Sequence, residues 1–493
     1  MAAAAFIDWS DSSVWLLLLP TLHVLAVLAG VAHVLMQKPK VGIAFAWIIL
    51  IITFPVAGIT LYLLVGERRI SLRRRKKLEQ ARQHAPLKPA QSRRRHPLPA
   101  ASPDPHALIS LLQAGTCGPP TVASNIQLHA NTHDVLRQLA TEIDQAQTSI
   151  WMAFYIWHPG GDADAVLAAL ERAAGRGVQC HLLLDDIGSA NWWKSGQPER
   201  LRRAGASVRR ALPTGLFRAL VGRTDLRLHR KIVVLDERIA WTGSMNLVDP
   251  RHFKQDEGVG EWVDAMARIE GKAVLSLLAI VIGDWRLESR RDPVHAPPLA
   301  TTEKYNAEPG NGRHLQVMAS GPGQSGDELL LLLLELLYSA RRELVVTTPY
   351  FVPDDALVLA LRSAALRGVR VIVLAPEKND SLLVRYAAES YYAELLQAGV
   401  EIRLFRGGLL HTKSITVDGQ LSLFGTVNLD MRSIWINYEV SLVVYDAPFT
   451  QQLRHLQQSY LEQARRLDRA EWRQIPFQRR LLQNGMRLLA PLL

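Results

Sequence analysis

Two stretches at the start of the chain, Val14 to Met36 and Val41 to Val65, are almost uniformly apolar and show no alternation. Each exceeds 20 residues, the length a helix needs to cross the hydrocarbon core of a bilayer. Only Gln37-Lys38-Pro39-Lys40 lies between them, so the pattern predicts a transmembrane hairpin with both ends on one side. A cleaved signal peptide fits less well, because the first run is too long and no small-x-small site follows it. His23 and His33 within it are read as packing or interfacial residues.

Past residue 120 the pattern changes to short β-branched runs alternating with amphipathic ones, and it does so twice. Ser149 to Ile156 predicts a strand, Ala163 to Ala174 a helix with Val166, Leu167 and Leu170 on one side, and Val178 to Leu184 a second strand. Leu344 to Thr348, Ala356 to Leu366 and Val369 to Leu374 repeat that order. Arg-Gly-Val precedes the second strand in both copies (Arg176 to Val178, Arg367 to Val369), and Ala-Gly precedes the third (Ala204-Gly205, Ala398-Gly399). An offset of roughly 190 residues is far beyond solenoid periods and indicates duplicated α/β domains. The predicted organisation is a hairpin over 1–66 (helices about 14–36 and 41–65), a linker over 67–120, α/β domains over 121–300 and 301–465, and a tail over 466–493.

Charge sharpens this picture. Between Glu67 and Pro105 there are 12 Lys and Arg against 3 acids, which is +9 of the chain's +11 and leaves +2 for everything else. Beside a membrane span such a segment is drawn to anionic headgroups, and the positive-inside rule puts it, the N-terminus and the catalytic region on the cytoplasmic side. Lys38 and Lys40 oppose that orientation weakly. With so little charge elsewhere, a nucleic-acid partner has little support. Cys117 and Cys180 are the only cysteines, too few for a disulfide framework, and no C-x-x-C metal signature occurs.

The chemistry is concentrated in a motif that also occurs twice. His229-Arg230-Lys231 leads to Asp236, and His411-Thr412-Lys413 leads to Asp418, both as H-x-K-x-x-x-x-D. Each copy runs on into Gly-Ser/Thr-x-Asn, as Gly243, Ser244, Asn246 and Gly425, Thr426, Asn428. Residues two apart on a strand share a face, so His229 projects beside Lys231, His411 beside Lys413, Ser244 beside Asn246 and Thr426 beside Asn428. Asp236 and Asp418 complete the motif, but their odd offset from the lysines assigns them a structural role. Two matching sets imply one site built from both halves.

These residues, with Phe154-Tyr155-Ile156-Trp157, Thr348-Pro349-Tyr350-Phe351-Val352-Pro353 and Gly425-Thr426-Val427-Asn428-Leu429-Asp430-Met431-Arg432-Ser433, resemble the phospholipase D superfamily, and within it the membrane-anchored bacterial cardiolipin synthase family. The similarity runs from the N-terminal hairpin almost to Leu493 and is weakest in the linker. It implies two phospholipase D-type α/β/α sandwich domains forming a pseudo-dimer behind a two-helix transmembrane hairpin, in a bacterial inner membrane. It also implies phosphatidyl transfer between phosphatidylglycerol molecules, with His229 as nucleophile and His411 as acid and base. The motifs are nearly symmetric, so the residues themselves leave that division of labour open.

The side chains suit the chemistry. A phosphodiester repels nucleophiles unless donors surround it, and Lys231, Lys413, Asn246 and Asn428, supported by Ser244 and Thr426, are the expected phosphate-binding set. Each histidine needs its second ring nitrogen fixed, and Asp264 and Glu439 occupy matching places for that task, with Glu257 and Glu261 as competitors in the first half. No metal or other cofactor is expected, because lysines and amides supply the positive potential. The expected partners are phosphatidylglycerol and anionic membrane lipids. Alternatives are a membrane phospholipase D using water, more distantly a nuclease, and a non-catalytic lipid-binding scaffold, against which two intact motifs argue. Leu212 to Val221 and Glu471 to Leu493 mix apolar residues with arginines, a pattern that fits either a membrane interface or packing onto the core.

Overall fold

Strands from both repeats join into a single fifteen-stranded sheet in the computed structural model, which describes residues 12–37, 41–66, 105–115, 117–214, 225–288, 313–323 and 327–489. The first repeat supplies β1 (Thr121–His129), β2 (Ser149–Phe154), β3 (Gln179–Asp185), β4 (Ser207–Ala211), β5 (Ile232–Leu235), β6 (Ile239–Gly243) and β7 (Met266–Gly271). The second supplies β8 (Arg313–Ser320), β9 (Glu343–Thr347), β10 (Arg370–Pro376), β11 (Glu401–Phe405), β12 (Ser414–Val417), β13 (Leu421–Gly425) and β14 (Glu439–Val444), and β15 (Ala464–Arg466) extends one edge. Their spatial order is β15-β11-β10-β9-β12-β13-β14-β8-β1-β7-β6-β5-β2-β3-β4. Outward from the β1–β8 junction the path 1-7-6-5-2-3-4 on one side is matched by 8-14-13-12-9-10-11 on the other. The repeat seen in sequence is therefore a pseudo-twofold, closed by the antiparallel pairs Thr121–Leu315, Val122–His314 and Ala123–Arg313.

Both faces of the sheet are covered, which is why its central strands are continuous apolar runs. In β5, Val233 and Leu235 pack with Val166, Leu167 and Leu170 of the helix Asp162–Gly175, whereas Ile232 and Val234 face the opposite way, toward the helix Ala273–Glu288. In the second half, helices Glu328–Ser339, Asp355–Leu366 and Leu382–Ala398 cover one face, and Ala447–Glu462 packs on the other through Phe449 and Leu453. The two halves and their helices form one unit by contacts, Arg73–Pro213 with Asp225–Leu493.

Arg230 ties the halves together. Buried at the motif's middle position, it donates to the carbonyls of Glu439 (2.9 Å) and Ser320 (3.1 Å) and pairs with both oxygens of Asp284 at 2.5 Å. Removing one member of such a buried pair strands the other charge. Asp284→Ala is expected to cost about 3–5 kcal/mol, read from denaturant unfolding. A loss below about 1 kcal/mol would show that Arg230 finds other compensation.

Each motif glycine ends its strand where only hydrogen fits. A Cβ on Gly243 would collide with the carbonyl oxygen of Ala265, and one on Gly425 with that of Val440. These contacts bring β6 and β13 tightly against the backbone that carries Asp264 and Glu439.

The other unit groups Met1–Leu72 with Thr214–Thr224. Helix Ser12–Met36 spans the whole of the first apolar run, but the second run is not one helix. It breaks into Val41–Thr53, Pro55–Leu61 and a π-helical turn, Tyr62–Gly66. Pro55 has no N–H and drives the residue before it out of helical space, and Phe54 accordingly sits at φ −134°, ψ 74°. Beyond the break the chain folds back, and a Cβ on Gly58 would lie 2.9 Å from Ile51 Cα. Among the described residues no helix is long and apolar enough to cross a membrane, so the predicted continuous 41–65 span is replaced by shorter pieces. Most of the 67–120 linker and residues 215–221 of the first arginine-flanked segment lie outside the described residues.

Candidate active site

The two motif histidines are brought into register by main-chain bonds that cross between the halves. His229 N donates to Tyr438 O and His411 N to Val263 O, both at 2.9 Å, and each acceptor immediately precedes a buried carboxylate. Consequently His229 Nδ1 meets Glu439 Oε2 at 2.8 Å, and His411 Nδ1 meets Asp264 Oδ1 at 2.7 Å. Asp264 and Glu439 are thus the carboxylates facing the histidines, but each serves the histidine of the other half. Glu257 instead pairs with Lys254, and Glu261 is exposed.

Ionised carboxylates only accept, so Nδ1 carries the proton in both rings and Nε2 is left with its lone pair. Burial pushes both imidazoles down to about 4, against the pull of their carboxylates. Both are therefore neutral at pH 7 until another charge arrives. Tyr155 packs edge-on against His229 (ring centroids 5.1 Å), and Trp262 lies 4.3 Å from His411.

Ser244 and Thr426 are committed elsewhere than expected. Ser244 Oγ donates to Asp264 Oδ1 at 2.6 Å, and Thr426 Oγ1 donates to Glu439 Oε2 at 2.5 Å. Their single protons hold the carboxylates. Each half's hydroxyl and carboxylate thus form a relay to the other half's histidine.

Lys231 and Lys413 are buried, and their ammonium groups donate to the carbonyls two residues back, those of His229 and His411, at 2.9 and 2.5 Å. Burial lowers Lys231 to about 8 and Lys413 well below its usual range. Two desolvated cations at one site call for an anion. Asn246 accepts from Ile156 N through Oδ1, leaving its amide N–H groups as donors, whereas buried Asn428 Oδ1 has no hydrogen-bond partner.

Asp236 and Asp418 stand at the far ends of β5 and β12. Asp236 accepts from the backbone N–H groups of Gln147, Thr148 and Ser149 (2.7–2.9 Å), and Asp418 from those of Arg341, Arg342 and Glu343 (2.7–2.9 Å). They fix the entries to β2 and β9. One further group, His133, Asp162 and Asp249, has the spacing of a metal site, but Arg251 already bridges the two carboxylates at 3.2 and 2.7 Å.

Tyr155, Trp262 and Tyr350 were not given roles by the sequence pattern. Tyr155 and Tyr350 come shortly after the matching strands β2 and β9, so comparison of the repeats held the signal; Trp262, two residues before Asp264, had none.

A doubled α/β/α sheet that presents two histidine–carboxylate pairs and two buried lysines at its pseudo-twofold defines a phosphoryl-transfer enzyme of the phospholipase D type. The family model "Cardiolipin synthase, PLD-like domain" matches residues 139–265 and 333–460, and "Phospholipase_D-nuclease N-terminal" matches 24–67. Cardiolipin synthase A of Pectobacterium carotovorum subsp. carotovorum is 43% identical over 472 residues, 94% of this chain and 96% of the relative. Cardiolipin synthase A of Serratia proteamaculans is 42% identical over 472 residues with the same shares. The crystal structure of phosphatidylserine synthase from Haemophilus influenzae Rd KW20 superposes with TM-score 0.60 at 17% identity, covering 79% of this chain and 99% of that one, which supports the fold. The chain belongs to the cardiolipin synthase family.

Proposed function

We propose that this protein moves a phosphatidyl group from one phosphatidylglycerol to the hydroxyl of another, forming cardiolipin and releasing glycerol. The observation that carries this reading is the crossed pair of histidine–carboxylate contacts beside two buried lysines. A phosphodiester entering there adds an anion to Asp264 and Glu439 in opposing the burial that lowers Lys231 and Lys413. Its charge also favours the imidazolium form, which lets one ring become acidic while the other stays neutral. His229 Nε2 attacks phosphorus, the bond to the glycerol oxygen breaks, and His411 gives that oxygen its proton. The acceptor hydroxyl then loses its proton to His411 and attacks phosphorus, and the P–N bond breaks. Glu439 holds one ring and Asp264 the other throughout.

The enzyme is proposed to lie in a bacterial inner membrane with its catalytic region on the cytoplasmic side. Support comes from the N-terminal unit, where Leu25, Leu28, Leu35, Phe45, Ile49, Ile52 and Val56 are all exposed, a surface that suits lipid and not water. In this reading the first helix and the broken second one form the membrane hairpin, and the basic linker rests on anionic headgroups.

Supplied with phosphatidylglycerol alone in mixed micelles, the enzyme should yield cardiolipin and free glycerol in equal amounts, and added glycerol should drive the reaction back. Phosphatidic acid as the main product at every lipid density would make the protein a hydrolase. The lysines add a pH dependence. Lys231 is charged below its depressed value of about 8 and neutral above it, so KM for phosphatidylglycerol should rise as pH increases through 8. A KM that stays flat through that range would remove Lys231 from phosphate binding.

A further inference from the structure

The last described helix, Phe477–Arg487, is docked inside out. Its polar face meets the protein: Gln483, 3% exposed, donates to Glu389 at 2.8 Å, and Arg479 reaches the same carboxylate at 3.0 Å. Arg487 pairs with Asp355 and Glu394 and lies over the ring of Tyr391. Positions 477, 481 and 488 share the opposite face, and there Phe477, Leu481 and Leu488 are 74%, 62% and 81% exposed. Water-soluble helices turn the other way. The tail packs on the core and presents its apolar stripe outward.

The surroundings select the occupant. Arg473 and Arg480 are exposed beside the stripe, a combination that favours an apolar layer bounded by anionic groups. The helix runs parallel to Leu382–Ala398, because Arg479 meets Glu389 and Arg487 meets Glu394, so Phe477 lies toward the end that carries exposed Leu382 and Leu383. That end continues into the site. Two residues before Leu382, Asp380 accepts from Tyr350 Oη at 2.9 Å and pairs with Lys254 at 3.2 Å, and Lys254 lies over Trp262, the ring beside His411.

The geometry points to the helix Phe477–Arg487 as an interfacial seat that lays its apolar stripe into the surface of an anionic phospholipid bilayer and sets the site entrance at headgroup level. This rests on the lipid-substrate reading above. Its purpose is distinct from anchoring: it presents the site to lipids whose acyl chains stay in the membrane.

The test uses the full chain reconstituted in vesicles. Cys117 and Cys180 are buried, with thiols pushed up to about 12, and so resist maleimides. An environment-sensitive label at Leu481→Cys should be quenched by phosphatidylglycerol with brominated acyl chains, and more weakly in phosphatidylcholine vesicles, whereas a label at Ser459→Cys should not be quenched. The readout needs no turnover, so it stands apart from the proposed reaction. Separately, Phe477→Ser/Leu481→Ser/Leu488→Ser should leave cooperative unfolding unchanged and lower the rate on phosphatidylglycerol vesicles by about tenfold, with the rate on monodisperse short-chain lipid kept. An unquenched label, or an unchanged vesicle rate, overturns the proposal. A label that becomes shielded with rising protein concentration in detergent, but not by brominated lipid, overturns it in favour of a second copy on this face.

Discussion

Alanine at His229 or at His411 is expected to lower cardiolipin formation by at least about a thousandfold, with folding and membrane insertion retained. The rings sit in different halves, yet both would act on one phosphorus, so neither half can work alone. Removing the nucleophile leaves no covalent route. Removing the acid leaves an alkoxide without a proton and an acceptor without a base. The effects should not multiply: the double variant should be about as slow as either single one, because residues acting as a unit are non-additive. If one single variant kept most of its rate, the halves would hold separate sites, and a double variant that fell by the product of the two losses would show that the histidines do not act as a unit.

The second large effect crosses the pseudo-twofold. Glu439→Gln keeps the shape of the side chain, but its amide cannot anchor the Nδ1–H tautomer of His229 at 2.8 Å as a carboxylate does. Asp264→Asn does the same to His411 at 2.7 Å. Comparable tautomer errors in hydrolases cost about 10⁴ in turnover, and a loss of about 10²–10⁴ is expected here. The diagnostic lies in which half-reaction fails. Glu439→Gln, a change in the second half, should stop attack by the first-half histidine, whereas Asp264→Asn should permit attack and slow proton delivery and release. Thr426→Val and Ser244→Ala should follow their carboxylates with smaller losses, since each removes one hydrogen bond to a carboxylate that keeps its histidine. A KM effect without a kcat effect would instead return the hydroxyls to phosphate binding.

How far the sequence reaches is clear from these same residues. Alternation and the repeated motif suffice for the α/β repeats: the expected Ala163–Ala174 helix is Asp162–Gly175, and the expected strand Leu344–Thr348 is Glu343–Thr347. Within each half the two-residue period puts the histidine and its lysine on one side, whereas the two histidines meet through main-chain bonds between the halves. Asp264 and Glu439 were identifiable as carboxylates in matching places, but matching places say nothing about which histidine each one faces. That depends on β1 meeting β8 and on the main-chain bonds from His229 to Tyr438 and from His411 to Val263, contacts between residues well over a hundred positions apart. The bonds from Ser244 to Asp264 and from Thr426 to Glu439 were out of reach for a related reason: sequence places a hydroxyl near the site without showing which acceptor takes its proton. Pro55 was visible in the apolar run. Hydropathy over a 25-residue window averages across it, whereas the backbone cannot.

The most direct test of the shared site is mass analysis of the denatured enzyme after brief exposure to phosphatidylglycerol. In His411→Ala, and at lower yield in Asp264→Asn, a phosphatidyl group should be found on the peptide containing His229, and Glu439→Gln should carry none. An adduct on the His411 peptide of His229→Ala, or no adduct in any variant that still binds lipid, would contradict a reaction that runs through His229 and is supported across the two halves.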